Sequence, residues 1–228
     1  MTDARPSPTA PLDDPDRDRV VPTDGRRLRG ERTRSAVLDE AVQAASVHGL
    51  EGLTFAPLAA RVGVNKSAIA ALFANKEGLQ LATVARAREL FAHAVVAPAR
   101  QAEPGLARVG ELVRRWTDYS RSRTFVGGCF FRAAETELDA RPGPVRDAVV
   151  AVRREWEGYL GHHVALAAAA GDLDDDGDPA QVVFELDAVL AAADGRSVLL
   201  GDPTAYERAL RAVRAQLVAR GADPARLG

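Results

Sequence analysis

The sequence predicts an all-α protein. Its apolar residues recur at helical spacing through most of the chain, and no run alternates between apolar and polar with the period of two that indicates a strand. Glycine and proline separate these stretches, as in the sequence PGP at residues 142–144. We therefore expect a disordered tail over residues 1–25, a three-helix domain over residues 26–79, and a helical domain over residues 80–228.

The tail and the first helix differ in composition. Residues 1–25 hold five prolines among aspartate and arginine, so this segment cannot bury enough apolar surface to offset the entropy lost on ordering. The first helix is expected from about Arg26 to Val47, because an apolar stripe runs along it at helical spacing. Gly49 follows this helix, and glycine suits the left-handed conformation that commonly ends a helix.

The stretch from Leu53 to Leu79 predicts two short helices joined by a tight turn. Thr54 and Asn65 carry side-chain oxygens that can cap the first turns of these helices. The sequence VGV at residues 62–64 supplies the turn between them. Two helices joined in this way form a helix-turn-helix, whose second helix can enter the major groove of DNA. We call residues 26–79 the head and residues 80–228 the body.

The remainder of the chain predicts six further helices. Each is bounded by a capping residue, a glycine or a proline. Their expected bounds are Asn75 to about Pro98, Leu106 to Tyr119, Gly128 to Leu138, Val145 to Ala169, Pro179 to Ala193, and Pro203 to about Arg220. The acidic sequence DLDDDGD at residues 172–178 lacks the glutamate that a calcium loop needs at its twelfth position. It is therefore expected to be a solvated turn, and no metal site is predicted.

Composition and charge narrow the classes of protein. The 228 residues are 46% hydrophobic and 27% charged, and no apolar run approaches the roughly 18 to 20 residues that span a bilayer. One cysteine and no recognisable secretory signal favour the cytoplasm. The net charge of −2 conceals a positive segment, because residues 26–100 carry eleven basic and six acidic side chains. That segment contains the helix-turn-helix, as a phosphate-binding surface requires.

A set of positions in the head forms a more specific pattern than the helix-turn-helix alone. These positions are Thr54, Leu58-Ala59, Gly63-Val64, Phe73, Lys76-Glu77 and Leu79. The pattern resembles the DNA-binding signature of tetracycline-repressor-type (TetR/AcrR) transcriptional regulators, with a close match over roughly residues 30–79. The family usually carries Tyr and His where this chain has Ala70 and Leu72, and the tyrosine usually touches a phosphate. The resemblance implies an effector-binding body, linked to the head by the fourth helix.

The head supplies the expected contacts with DNA. Lys66 and Lys76, the only two lysines in the chain, both lie in first helical turns, where the helix dipole disfavours a cation by about 0.3–1 kcal/mol. A phosphate at a helix N-terminus would reverse that effect. Ser67 and Ala68 are expected beside base edges, and Leu72 can meet a thymine methyl group. The candidate DNA-binding residues are Arg34, Thr54, Asn65, Lys66, Ser67, Ala68, Leu72 and Lys76.

Aromatic residues of the body indicate either a packed core or a cavity for a small apolar effector. Trp116 with Tyr119, and Trp156 with Tyr159, share the spacing that places each pair on one helix face. Cys129 is expected to be a buried, inert thiol, and the alternative is a sensing thiol at a helix N-terminus. The candidate effector residues are Phe91, Trp116, Tyr119, Phe125, Cys129, Phe130, Trp156, Tyr159 and His163.

The last two helices, near residues 179–193 and 203–220, carry broad apolar surfaces. They can pack against the long helix of the same chain, or complete a four-helix bundle with a second copy, which we expect. The function expected is that of a homodimeric repressor, released from a palindromic operator by a small apolar or aromatic effector. One alternative is a constitutive architectural DNA-binding protein without a ligand, and another is a protein that has lost specific DNA binding. No catalytic cluster and no cofactor are expected.

Overall fold

Residues 25–174 and 178–227 are described by the computed structural model, and their regular structure is helical, as predicted. The main helices in chain order are α1 (Gly25–His48), α2 (Phe55–Val62), α3 (Lys66–Phe73), α4 (Lys76–Phe91), α5 (Leu106–Arg121), α6 (Phe130–Leu138), α7 (Pro144–Ala169), α8 (Pro179–Leu199) and α9 (Ala205–Ala219). The predicted tail before residue 25, and residues 175–177 of the predicted acidic turn, lie outside the described residues.

The head consists of α1, α2 and α3, packed around a small apolar core. Val37 of α1, Leu58 of α2 and Ile69 of α3 are each at most 2% exposed. The turn between α2 and α3 is made by Gly63, whose φ of +74° is the left-handed conformation that glycine adopts without steric cost. The helix-turn-helix therefore has the bounds and the turn residue that the sequence predicts.

The capping of these helices differs from the prediction. Thr54 and Asn65 occupy the N-cap positions of α2 and α3, but within the described residues neither side chain accepts a capping hydrogen bond. Asn75 does cap its helix, because its Oδ1 accepts a hydrogen bond of 2.8 Å from the backbone N–H of Gly78. The side-chain oxygens of Thr54 and Asn65 are consequently left for other partners.

This difference between the caps predicts a difference in stability. Replacing Asn75 with alanine is expected to lower the free energy of unfolding by about 1 kcal/mol, because one N–H of α4 loses its acceptor. Asn65→Ala is the matched control, and its cost is expected to be smaller because no capping bond is lost. Urea unfolding of the two variants checks this, and equal costs would contradict the assignment.

The fourth helix continues beyond Phe91 in an altered form. Ala92–Val96 is a π-helical turn, in which the N–H of Ala97 donates to the carbonyl of Ala92, and Ala97–Ala99 forms a last α-helical turn. Pro98, near the predicted end of this helix, lies two residues after the π turn. Because proline has no N–H to donate, a disturbed hydrogen-bond ladder just before it has a physical cause.

The body is built from α5 to α9 packed on the end of α4. Its helices have nearly the predicted bounds except for α8, which was expected to end at Ala193 and runs on to Leu199. Asp194 explains the extension: its buried carboxylate accepts hydrogen bonds from Ser120 Oγ at 2.5 Å and from the N–H of Cys129 at 3.1 Å. Among the described helices, none is long and apolar enough to cross a bilayer.

Candidate DNA-binding surface and interior cavity

Three helix N-termini meet on one side of the head. Thr54 at the start of α2, Lys66 at the start of α3 and Lys76 at the start of α4 line one shallow surface groove. Free N–H groups and the positive ends of helix dipoles favour an anion at such a place. The structure thus brings these three predicted residues together on a surface that suits phosphate groups.

The two lysines of this groove differ in their contacts. Lys76 Nζ donates to the carbonyl oxygen of Glu51 at 2.6 Å and to its Oε2 at 3.0 Å, and this hydrogen bonding lowers the pKa of Glu51. An ammonium has three N–H donors, so one remains on Lys76 for a phosphate. Lys66 is exposed, and no acidic side chain in residues 25–174 or 178–227 pairs with it. Lys66 consequently has fewer polar contacts within the described residues than Lys76.

The other predicted DNA contacts vary in exposure. Ser67 is exposed on α3, whereas Ala68 and Leu72 are half-buried, and Leu72 packs against the core. The guanidinium of Arg34 lies 4.7 Å from the ring centroid of Phe73, the last residue of α3. This cation–π contact holds the side chain of Arg34 against the end of α3. The contacts of these side chains with DNA stay predictions.

A small cavity lies inside the body, between α4, α5, α6, α7 and α8. Its walls combine an apolar, mostly aromatic part with a charged part. The lining residues are Phe91, Trp116, Cys129, Phe131, Arg132, Glu135, Val152, Arg153, Trp156 and Asp187. The open space is about 30 Å³, enough for about one water molecule. A larger guest therefore requires lining side chains to move.

Four of the predicted effector residues line this cavity, namely Phe91, Trp116, Cys129 and Trp156. The ring of Phe91 is central, with its centroid 5.3 Å from that of Trp156 in an edge-to-face arrangement. Three further predicted residues extend this aromatic cluster and pack away from the open space. These are Tyr119, Phe125 and Phe130.

Two predicted effector residues are placed elsewhere. Tyr159 and His163 meet edge to face with ring centroids 4.8 Å apart, and neither lines the cavity. His163 Nδ1 accepts a hydrogen bond of 3.5 Å from the N–H of Gly105, before α5. The prediction placed Tyr159 with Trp156 because they share one helix face. The structure shows that one turn of α7 separates them sufficiently to give them different neighbours.

The charged wall of the cavity was not predicted. Arg153 Nη1 and Nη2 donate to the two carboxylate oxygens of Asp187 at 3.0 and 2.6 Å, and Arg132 Nη2 adds a third bond of 2.6 Å. Glu135 lies beside both arginines, and burial raises its pKa despite their positive charge. Although burial opposes ionisation of Arg153, its hydrogen bonds to Asp187 raise the pKa of the guanidinium. The guanidinium of Arg153 is therefore charged beside Asp187.

Cys129 is buried at the edge of the cavity. Burial raises the pKa of its thiol to about 11, so that nearly all of it is protonated at neutral pH. The hydroxyl of Tyr119 lies 3.8 Å from Sγ. Because the thiolate is the reactive form, this environment is that of an inert thiol, as the sequence analysis expected.

The head is fastened to the loop between α5 and α6. Gln43 of α1 donates from Nε2 to the carbonyl of Thr124 at 2.9 Å and accepts from the N–H of Val126 at 3.0 Å. The N–H of Gly127 donates to Ser46 Oγ at 3.0 Å. These bonds tie the C-terminal half of α1 to a loop that leads directly into the cavity.

Helix α6 adds a second attachment. The carboxylate of Glu137 accepts hydrogen bonds from the backbone N–H groups of Leu50 at 2.7 Å and Glu51 at 2.8 Å, in the turn after α1. The same helix presents Phe131 and Arg132 to the cavity. A single short helix thus contacts both the cavity and the head.

The outer face of α8 exposes large apolar side chains. Phe184 is 70% exposed and Leu199 is 84% exposed, and they lie fifteen positions apart on the same helix. Between them, Gly195 has no described atom within 4 Å of the position of a Cβ. A second helix can therefore approach α8 closely, as the predicted pairing of two copies requires.

This combination defines a class of protein: a helix-turn-helix regulator whose DNA-binding head is joined to a helical body with an interior cavity. Two family profiles match the sequence. The profile described as "Bacterial regulatory proteins, tetR family" matches residues 37–83, and "Tetracyclin repressor-like, C-terminal domain" matches residues 105–213. The chain belongs to the tetR family of bacterial regulatory proteins, and it is a DNA-binding transcriptional regulator.

Solved structures share this fold. A TetR transcriptional regulator from Chloroflexus aurantiacus J-10-FL is 23% identical, with a TM-score of 0.75 over 85% of this chain and 98% of that chain. The TetR-family regulator SCO4454 from Streptomyces coelicolor is 23% identical, with a TM-score of 0.69 over 84% and 97%. AibR in complex with isovaleryl coenzyme A and operator DNA is 17% identical, with a TM-score of 0.65 over 84% and 100%. No curated protein matches the sequence.

Proposed function

We propose that this regulator is a homodimeric repressor that leaves a palindromic operator when a small apolar or aromatic effector enters the body. The observation that carries the proposal is that two helices each contact both the head and the cavity of the body. Helix α4 begins with Lys76 in the surface groove of the head and ends with Phe91 in the cavity wall. Helix α6 joins the cavity to the turn after α1 through Glu137.

Effector entry would act by shifting the balance between two arrangements of the heads. The space of about 30 Å³ cannot admit an effector unless its walls move, and two of the moving walls belong to α4 and α6. Because both helices hold the head, that movement changes the spacing of the two recognition helices. Half-sites one helical turn apart tolerate little change in this spacing. The AibR complex, which holds both a ligand and operator DNA, supports ligand binding and DNA binding by a protein of this fold.

Dimerisation through α8 and α9 is part of the proposal. The side chains of Phe184 and Leu199 expose apolar surface to water. A two-fold axis would bury this surface against the same face of a second copy. Two heads then address one operator. The protein is accordingly placed in the cytoplasm, with the DNA.

A constitutive architectural DNA-binding protein is the rival function. It would keep the head and the dimer but needs no cavity with a charged wall, so the ten residues that line the interior space favour the regulator. A thermal-shift screen of apolar compounds separates the two functions. The regulator is expected to be stabilised by at least one compound that also changes operator affinity, whereas the rival would respond to none.

Lys66 provides the test of the DNA-binding surface. Replacing Lys66 with alanine is expected to weaken binding to all duplexes alike and to reduce the slope of log affinity against log salt by about 0.9, the value for one lost phosphate contact. Fluorescence anisotropy with DNA from the adjoining promoter measures both quantities. Lys66→Arg keeps the charge and is expected to retain the wild-type slope. An unchanged slope in Lys66→Ala would remove this lysine from the site.

A further inference from the structure

We propose that the cavity takes an amphipathic carboxylate, an aryl or branched-alkyl acid whose carboxylate replaces the Asp187 side chain between Arg132 and Arg153. This inference rests on the proposed effector site and names the chemical class of its ligand. The geometry points to this class because the cavity already holds a carboxylate, supplied by the protein itself.

The two arginines form a preformed carboxylate receptor. Arg153 contacts both oxygens of Asp187 with its two terminal nitrogens, at 3.0 and 2.6 Å, which is the bidentate geometry that guanidinium and carboxylate prefer. Arg132 Nη2 donates to Oδ2 of Asp187 at 2.6 Å and to its backbone carbonyl oxygen at 3.1 Å. A free carboxylate in this position would make the same three hydrogen bonds.

The surroundings of the receptor favour an apolar body on the ligand. Trp116, Phe131 and Trp156 line the same cavity as the two arginines. A ring or branched chain attached to the carboxylate would lie against these aromatic side chains. The free space is too small for such a group while Asp187 is in place, so binding requires the Asp187 side chain to leave.

Replacement of the Asp187 carboxylate by a ligand carboxylate would break side-chain hydrogen bonds between helices. Asp187 belongs to α8, whereas Arg132 belongs to α6 and Arg153 to α7. An external carboxylate that takes over the guanidinium bonds would remove the side-chain links of Asp187 to both neighbouring helices, and Arg132 would keep its hydrogen bond of 3.1 Å to the backbone carbonyl oxygen of Asp187. Because α8 also carries the exposed apolar face, the ligand would affect the helix through which two copies are proposed to pair.

A cationic ligand fits these walls less well. It would stand next to two guanidinium groups, and like charges repel at such distances. The remaining carboxylate of the wall, Glu135, is already placed 3.1 Å from Arg132 and 3.6 Å from Arg153. The charged wall therefore selects for an anion.

Tryptophan fluorescence can report occupancy, because the only two tryptophans of the chain, Trp116 and Trp156, both line the cavity. The probes are matched triplets of acid, primary alcohol and primary amine, built on cyclohexyl, phenyl and branched-alkyl groups. In at least one triplet the acid is expected to bind at least about tenfold more tightly than its alcohol, with the amine weakest. Tighter binding by alcohols or amines, or no binding by any acid, would overturn the proposal.

Variants of the receptor sharpen the test. Asp187→Asn removes the competing carboxylate and is expected to raise acid affinity about tenfold while changing alcohol affinity less than about threefold. Arg153→Lys keeps the charge but loses the two parallel N–H donors of the guanidinium, and it should lower the affinity for acids about tenfold. Glu157→Gln is the control, because Glu157 contacts the same arginine at 2.7 Å from the exposed side. Unchanged acid affinity in both Asp187→Asn and Arg153→Lys would contradict the exchange.

Operator binding in the presence of the same probes separates this inference from the proposed function. If alcohols or amines release the operator and acids do not, the ligand class is wrong and the repressor proposal stands. If acids bind the cavity but no compound alters operator affinity, the carboxylate site stands and the repressor proposal is wrong.

Discussion

Replacing Gly127 with alanine is expected to disrupt the attachment of the head to the body. A Cβ on residue 127 would lie 1.9 Å from the carbonyl oxygen of Ser46, a backbone atom of α1 that cannot rotate aside. The N–H of Gly127 also donates to Ser46 Oγ, so the loop cannot shift without losing this bond. We expect a loss of about 3 kcal/mol in the free energy of unfolding, together with weaker operator binding.

Urea unfolding checks this expectation against a matched glycine. Gly158 lies within α7, and no described atom comes within 4 Å of the position of its Cβ. Gly158→Ala is therefore expected to leave the protein as stable as the parent, or more stable by up to about 1 kcal/mol, because alanine favours helix. An unfolding midpoint for Gly127→Ala equal to that of the parent would show that the loop can move away from α1 at little cost.

Placing a charge on the outer face of α8 is expected to prevent dimerisation. Leu199 is 84% exposed in one chain, so Leu199→Glu should cost the monomer little. In the proposed dimer the two-fold axis would bury two unpaired carboxylates, each at a cost of several kcal/mol. A monomer presents one head to one half-site, and we expect operator affinity to fall by about 10²–10⁴-fold.

Light scattering after gel filtration measures the oligomeric state of this variant. Val47→Glu serves as the control, because Val47 is an exposed apolar residue at the end of α1, away from the proposed interface helices. It is expected to keep the oligomeric state of the parent. A dimeric Leu199→Glu protein that binds operator with parental affinity would place the interface elsewhere.

The extent of α8 shows where the sequence stops being informative. The sequence of Asp194-Gly195 resembles a helix end, and local signals alone favoured a stop at Ala193. The helix continues because the Asp194 carboxylate binds groups of Ser120 and Cys129, far away in the chain. By contrast, the starts of α2 and α3 and the turn between them were predictable, because the turn glycine acts on its immediate neighbours.

The lining of the cavity was also predictable only in part. Aromatic residues at helical spacing indicated that Trp116 and Trp156 belong to an apolar interior, because hydrophobic periodicity is a local property. The arginines that meet Asp187 could not be predicted, because each lies on a different helix and charged residues are common on solvent-facing surfaces. Only the packing of α6, α7 and α8 brings them together.

The positions of the two lysines affect how this protein can be immobilised or labelled. Both lysine amines of the chain, on Lys66 and Lys76, line the surface groove of the head. Attachment to a sensor chip through a lysine amine would anchor the molecule by this groove and mask it, and the thiol of Cys129 is buried. Mild acetylation of these two lysines can also report DNA binding, since a bound duplex would shield both amines from the reagent.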